Sequence, residues 1–178
     1  VQGDYTSFRI WKYNENFEVV ATYDGSATVD CSGRGIMINP SDNELYSKGL
    51  SDFCHIDKSL NGDYTYMYTL DEPNAKAVVS ADGSTLMLHR DGLLKKYDFY
   101  AGELITSFAI DLQHDISEWP QQNLIAFNGT YLLSINDMIV YAYDVNTGDY
   151  TGQSSTLPPS NRQIDEWTMA YSNNMFFL

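Results

Sequence analysis

Three segments of this chain concentrate carboxylates, two of them with an indole, a combination that can hold a cation, a basic peptide or a sugar ring. Asp71 and Glu72 precede Pro73; His114, Asp115, Glu118 and Trp119 precede Pro120; Arg162, Asp165, Glu166 and Trp167 form the third. Two of them echo each other as Ile116-Ser-Glu-Trp119 and Ile164-Asp-Glu-Trp167. Carboxylates attract positive charge, and an indole face stacks on a sugar or a cation. A second reading stands beside this one, in which the tryptophans wedge between neighbouring sheets and the carboxylates solvate a rim.

Other chemistry is weakly encoded. His55, His89 and His114 are scattered and pair with no cysteine at ligand spacing. Calcium is the one cofactor left open, through Asp57 to Asp63 or Asp144 to Asp149, yet no EF-hand spacing exists and turn formation accounts for the same residues. No Gly-x-Ser-x-Gly turn supplies a nucleophile, and a pair of glycosidase carboxylates is defined by a distance that sequence does not carry. The chain therefore presents candidate partner-binding residues (Asp71, Glu72, His114, Asp115, Glu118, Trp119, Asp165, Glu166, Trp167) and no catalytic set.

Rigid elements must position those segments, and the sequence supplies them as a repeat. Tight turns at Asp42-Asn43, Asp82-Gly83, Asn128-Gly129 and Asn173-Asn174 each join two apolar runs, at intervals of 40, 46 and 45 residues. Between them lie Phe53-Cys-His-Ile-Asp57 through Gly62, Leu93-Leu-Lys-Lys-Tyr-Asp98 through Gly102, and Ile139-Val-Tyr-Ala-Tyr-Asp144 through Gly148, with Phe8-Arg-Ile-Trp-Lys-Tyr-Asn14 through Asn16 as a degenerate copy. An Asp closing a strand and a Gly shortly after it suit an Asx turn followed by a left-handed residue. Runs such as Ala77-Val78-Val79 and Leu124-Ile125-Ala126-Phe127 read as strands buried on both faces. A period in the forties with four strands is the signature of propeller blades. No stretch of helical periodicity is free of Gly, Pro or Asn. The expected fold is an all-β propeller of about four four-stranded blades, with units near 1–25, 26–70, 71–112, 113–157 and 158–178.

The units resemble the WD-repeat, YVTN and quinoprotein-like group of propellers. Val79-Ser-Ala-Asp-Gly-Ser-Thr-Leu86, Ile38-Asn-Pro-Ser-Asp-Asn-Glu-Leu45 and Val140-Tyr-Ala-Tyr-Asp-Val-Asn-Thr-Gly148 carry the likeness. Tyr-Asp stands at 97–98 and 143–144 where WD repeats have Trp-Asp, and the Gly-His pair is missing, so the looser bacterial-type propellers fit better. The chain begins with an outer pair of strands and ends with an inner pair. Complementary ends would complete one blade and close a small ring; a segment of a larger propeller would show the same phase.

Composition narrows the partners. At 178 residues and 43% hydrophobic the chain can bury one substantial core, so a single domain is expected, and 14% aromatic content suits packing between sheets. A formal charge of −14 opposes binding to nucleic acid or anionic membrane, and no apolar run is long enough to span a bilayer. Cys31 and Cys54 lie about two ladder spacings apart, beyond disulfide reach unless Cys31 sits on a loop that folds over; two buried thiols are the expectation. Asn128-Gly-Thr130 matches a glycosylation sequon, but a hairpin turn explains Asn-Gly there. The sequence thus predicts a non-enzymatic scaffold recognising a protein or glycan, with a propeller-enzyme fragment of quinoprotein-like or glycan-active type as the alternative. Secretion or the cell envelope suits the acidic, lysine-poor composition, and a cytoplasmic location stays open.

Overall fold

A computed structural model of the chain describes residues 7–26, 35–49, 51–60, 64–70, 72, 75–90, 92–113, 124–136, 138–158, 170–172 and 175–177. The described residues form strands and turns with no helix. Three sheets are four-stranded antiparallel meanders. One joins β3 (Gly35–Asn39), β4 (Glu44–Lys48), β5 (Asp52–Ile56) and β6 (Tyr64–Thr69) in chain order. The next joins β7 (Lys76–Val79), β8 (Thr85–Arg90), β9 (Leu93–Asp98) and β10 (Leu104–Ala109), and the last β11 (Leu124–Phe127), β12 (Tyr131–Asn136), β13 (Ile139–Asp144) and β14 (Tyr150–Thr156). Two further sheets are two-stranded: β1 (Ser7–Tyr13) with β2 (Val19–Ser26), and β15 (Ala170–Ser172) with β16 (Met175–Phe177).

The register aligns the second and third strands of the three meanders. Leu45 pairs with Ile56, Leu86 with Tyr97 and Leu132 with Tyr143, so these pairs occupy one structural position. Three residues further along the second strand stand Lys48, His89 and Ile135, all buried. The repeat therefore fixes depth and leaves chemistry free at this position.

Turn chemistry follows the sequence in outline and departs from it in detail. Asn14, Asp57 and Asp144 each accept backbone N–H bonds through Oδ1 just after their strand, from Asn16 and Glu18, from Ser59, and from Asn146 and Thr147. The left-handed residue that follows Asn14 is Phe17 (φ 60°), not Asn16, and after Asp57 Leu60 (φ 60°) is left-handed, while Gly62 lies outside the described residues. Leu60 is buried against Ile56, and that packing holds the conformation where propensity alone favours glycine. Gly148 (φ 80°) is required twice over, since a Cβ there would also strike the Ala109 carbonyl. At the β11–β12 hairpin, Phe127 pairs with Leu132, and the central turn residues are Gly129 and Thr130 rather than Asn128 and Gly129. Gly129 (φ 96°) at the first central position is the type II′ arrangement.

The chain gathers into two compact units, 1–73 with 100–102, and 74–99 with 103–178. In the first, Ile56 and Leu60 pack against Ile10, Ala21, Leu45 and Tyr64, which seats β1–β2 on the β3–β6 sheet. Tyr46 stacks on Phe53 (5.7 Å, 8° between planes) and Phe53 on Tyr68 (5.1 Å, 18°) along its other face. In the second, Met87, Leu94 and Ile110 meet Leu132, Tyr143 and Val145 to form a core between the β7–β10 and β11–β14 sheets. Burying each such side chain contributes about 1.5–3 kcal/mol. Within this unit β11 lies alongside both β7 and β15. The first strands are half-buried along much of their length (Ala77, Val78, Val79, Phe127), where continuous apolar runs predict full burial on both faces.

The cysteine expectation is overturned. Cys54 is disulfide-bonded, and the sequence holds one other cysteine, Cys31. The expectation takes Cys31 to lie in the plane of the sheet beside the first strand, and that strand, β3, begins at Gly35. Cys31 itself lies outside the described residues.

Candidate functional site

Of the nine candidate partner-binding residues, Glu72 is described. It is half-buried, and its backbone carbonyl accepts a hydrogen bond from Lys48 Nζ at 3.0 Å. Asp71, His114, Asp115, Glu118, Trp119, Asp165, Glu166 and Trp167 lie outside the described residues. Lys48 is 2% exposed, and its ammonium also donates to the Gly49 carbonyl (3.3 Å). A buried ammonium is tolerated only when carbonyls or charges replace its water shell. One arm of the acidic segment is thereby tied to the β4 strand end through its backbone.

The turn between β3 and β4 carries a second polar cluster that sequence reasoning missed. Asp42 Oδ2 accepts from the hydroxyls of Tyr46 (2.7 Å) and Tyr100 (2.9 Å), and Ser41 Oγ lies 2.8 Å from the Tyr100 hydroxyl. Asn39, fully buried, accepts from the Ser41 amide and hydroxyl, both at 2.9 Å. Slight burial works to raise the Asp42 carboxyl, but bonds from Tyr46, the Glu44 amide and Tyr100 outweigh it and hold it below the usual range. Burial first, then the Asp42 carboxylate, pushes the Tyr46 hydroxyl upward. Neither group is poised to exchange protons near neutrality.

Beside it, Glu44 meets Lys58 Nζ at 2.9 Å and His55 Nε2 at 3.5 Å, and its carboxyl is lowered chiefly by the bond from Lys58. The Lys58 ammonium also donates to the Asn43 carbonyl (3.2 Å). This surface is mixed in charge and self-satisfied, which suits fixing a turn more than seizing a ligand. Asp42 was legible only as a turn former. Its partner Tyr100 stands 58 residues away, a pairing without local signal.

Metal-ligating geometry is absent among the described residues: no three His, Cys, Asp or Glu side chains gather. Among the calcium candidates, Asp57 and Asp144 have Oδ1 engaged by turn amides. No helix among the described residues is long and apolar enough to cross a membrane.

No protein-family model and no curated protein matches this sequence. Among solved structures, the chain is similar to the crystal structure of a functionally unknown protein from Desulfotomaculum acetoxidans DSM 771, with a TM-score of 0.57 and 17% identity. The match covers 87% of this chain and 55% of that one, so the chain spans about half the length of its neighbour. The likeness is one of fold.

Proposed function

We propose that this chain is a propeller-type binding scaffold whose acidic and aromatic connections recognise a protein or glycan partner. The observation that carries the reading is the side-by-side placement of β7, β11 and β15, the first strands of successive sheets. Sheets that meet along their first strands and share a core, as β7–β10 and β11–β14 do, suit an arrangement as blades about an axis. Gly148, at the tip between β13 and β14, adds a lock: its carbonyl accepts from Asp111 just beyond the preceding sheet (2.9 Å).

On such a scaffold the segments holding Asp71, Glu72, His114, Asp115, Glu118, Trp119, Asp165, Glu166 and Trp167 join one blade to the next, where loops on a rigid frame carry recognition. A net charge of −14 favours a cationic protein surface or a neutral glycan over nucleic acid. A second reading is favoured by the longer structural neighbour: a segment of a larger propeller, possessing enzymatic chemistry of quinoprotein-like or glycan-active type once further blades complete its site.

Arrays of Lys/Arg-rich peptides and of glycans, probed with the wild-type chain and with E118Q/E166Q, test the proposal. Peptide binding that weakens with added salt and is lost in E118Q/E166Q, or glycan binding that survives it, supports recognition. Silence of the wild-type chain on both arrays contradicts it, and turnover of an arrayed glycan favours the second reading.

A further inference from the structure

The β11–β12 turn places an amide nucleophile, an electrophilic carbon and two oxyanion donors within four residues. Asn128 Oδ1 accepts from the backbone amides of Thr130 (3.0 Å) and Tyr131 (2.7 Å), which curls the side chain back along the peptide that follows it. That next amide, Gly129 N–H, has no acceptor among the described residues, and Gly129 is exposed. A Cβ at Gly129 would meet nothing within 4 Å, so the approach is open to solvent base.

We infer that Asn128 is a self-modification site, deamidated in the folded chain by the amide of Gly129. Hydroxide removes the Gly129 N–H proton, and the nitrogen attacks Asn128 Cγ, forming a C–N bond and placing negative charge on Oδ1. The Thr130 and Tyr131 amides already point at that oxygen, as donors do in an oxyanion hole. Nδ2 takes a proton from water and leaves as ammonia, giving a five-membered succinimide. Water then adds to either ring carbonyl and breaks one C–N bond, leaving aspartate or isoaspartate. No oxidant or reductant enters. The turn gains a carboxylate and, in the isoaspartate product, an extra backbone carbon between β11 and β12.

Two other turns engage the amide that would be the nucleophile. At Asp82-Gly83 the side chain caps the Ser84 amide in the same way (3.0 Å), but Gly83 N–H donates to the Ser80 carbonyl at 2.9 Å. Asn146 is followed by Thr147, whose amide is held by Asp144 Oδ1 at 3.2 Å.

The test incubates the whole chain and D82N in mildly alkaline buffer at physiological temperature, folded and in urea, followed by isoaspartate-resolving peptide mass spectrometry. A separate peptide isolates Asn61-Gly62, which lies outside the described residues. In the wild-type chain, position 128 should deamidate as fast folded as unfolded, in proportion to hydroxide, with isoaspartate among the products. Position 82 of D82N should react many-fold more slowly folded than unfolded. The inference is overturned if position 128 is protected by folding to the degree position 82 is, or if its product is aspartate alone, the mark of direct hydrolysis.

Discussion

The β3–β6 and β11–β14 sheets share a strand order and a register but hold their interiors together by opposite means. In the first, buried polar groups are engaged: Lys48 donates to two carbonyls, Tyr46 donates to Asp42, and Cys54 is disulfide-bonded. In the second, Ile135 stands where Lys48 does, and Tyr143 where Ile56 does. There the Tyr143 hydroxyl and Ser134 Oγ are buried with no hydrogen-bond partner of ordinary geometry among the described residues. Burial pushes the Tyr143 hydroxyl up to about 12, and the Gln113 amide offsets only part of that. A repeat specifies which positions are inside, and each sheet solves the chemistry of its own interior.

The largest expected effect strikes the first sheet alone. Reducing the Cys54 disulfide should lower stability by about 3 kcal/mol, because the loop back to Cys31 is then unrestrained in the unfolded chain. Urea unfolding with and without reductant, followed through fluorescence, measures it; an unchanged midpoint would remove the disulfide from the comparison.

Two polar-to-apolar substitutions should then have opposite signs. Lys48→Met strands the Gly49 and Glu72 carbonyls and should cost about 1–3 kcal/mol. Tyr143→Phe instead removes a buried hydroxyl whose one contact among the described residues, the Gln113 amide, is poorly aligned, and should gain about 1 kcal/mol. Equal signs in thermal melts would mean that the two interiors are satisfied alike.

Turn geometry offers a smaller contrast. Phe17→Gly relieves a left-handed phenylalanine that is 87% exposed and should stabilise by up to about 1 kcal/mol. Leu60→Gly should instead destabilise, since Leu60 is 7% exposed in the core and its burial outweighs the strain.

The least perturbing test is a titration of two turns with the same side-chain cap. The Asp82 carboxyl is lowered to about 2, chiefly by the Ser80 hydroxyl and then by Ser84. Its folded value lies below the unfolded one, so its contribution is full above about pH 4 and is lost as pH falls toward 2. Asn128 makes the same side-chain bond to the amide two residues on, that of Thr130, and carries no charge. The Ser84 amide resonance should therefore shift with a midpoint near 2, while the Thr130 amide stays still through that range.

What the sequence made legible was local. Asx turns at Asp57, Asp82, Asn128 and Asp144 and the strands between them could be placed, because an acceptor side chain beside its own backbone needs nothing distant. The left-handed conformations of Phe17 and Leu60 were hidden, since propensity points to Asn or Gly and packing at Leu60 overrides it. Lys48 was hidden too, because a lysine at a strand end reads as solvent-facing until Glu72 arrives from 24 residues on. Of the candidate site, Glu72 alone could be placed, through its backbone.

Melting and array binding measured together on W119A/W167A test the central claim, that rigid sheets carry connections specialised for recognition. The account predicts an unchanged melting temperature and loss of the binding seen with the wild-type chain. A collapse of the melting temperature would contradict it, because the indoles would then hold sheets together instead of facing a partner.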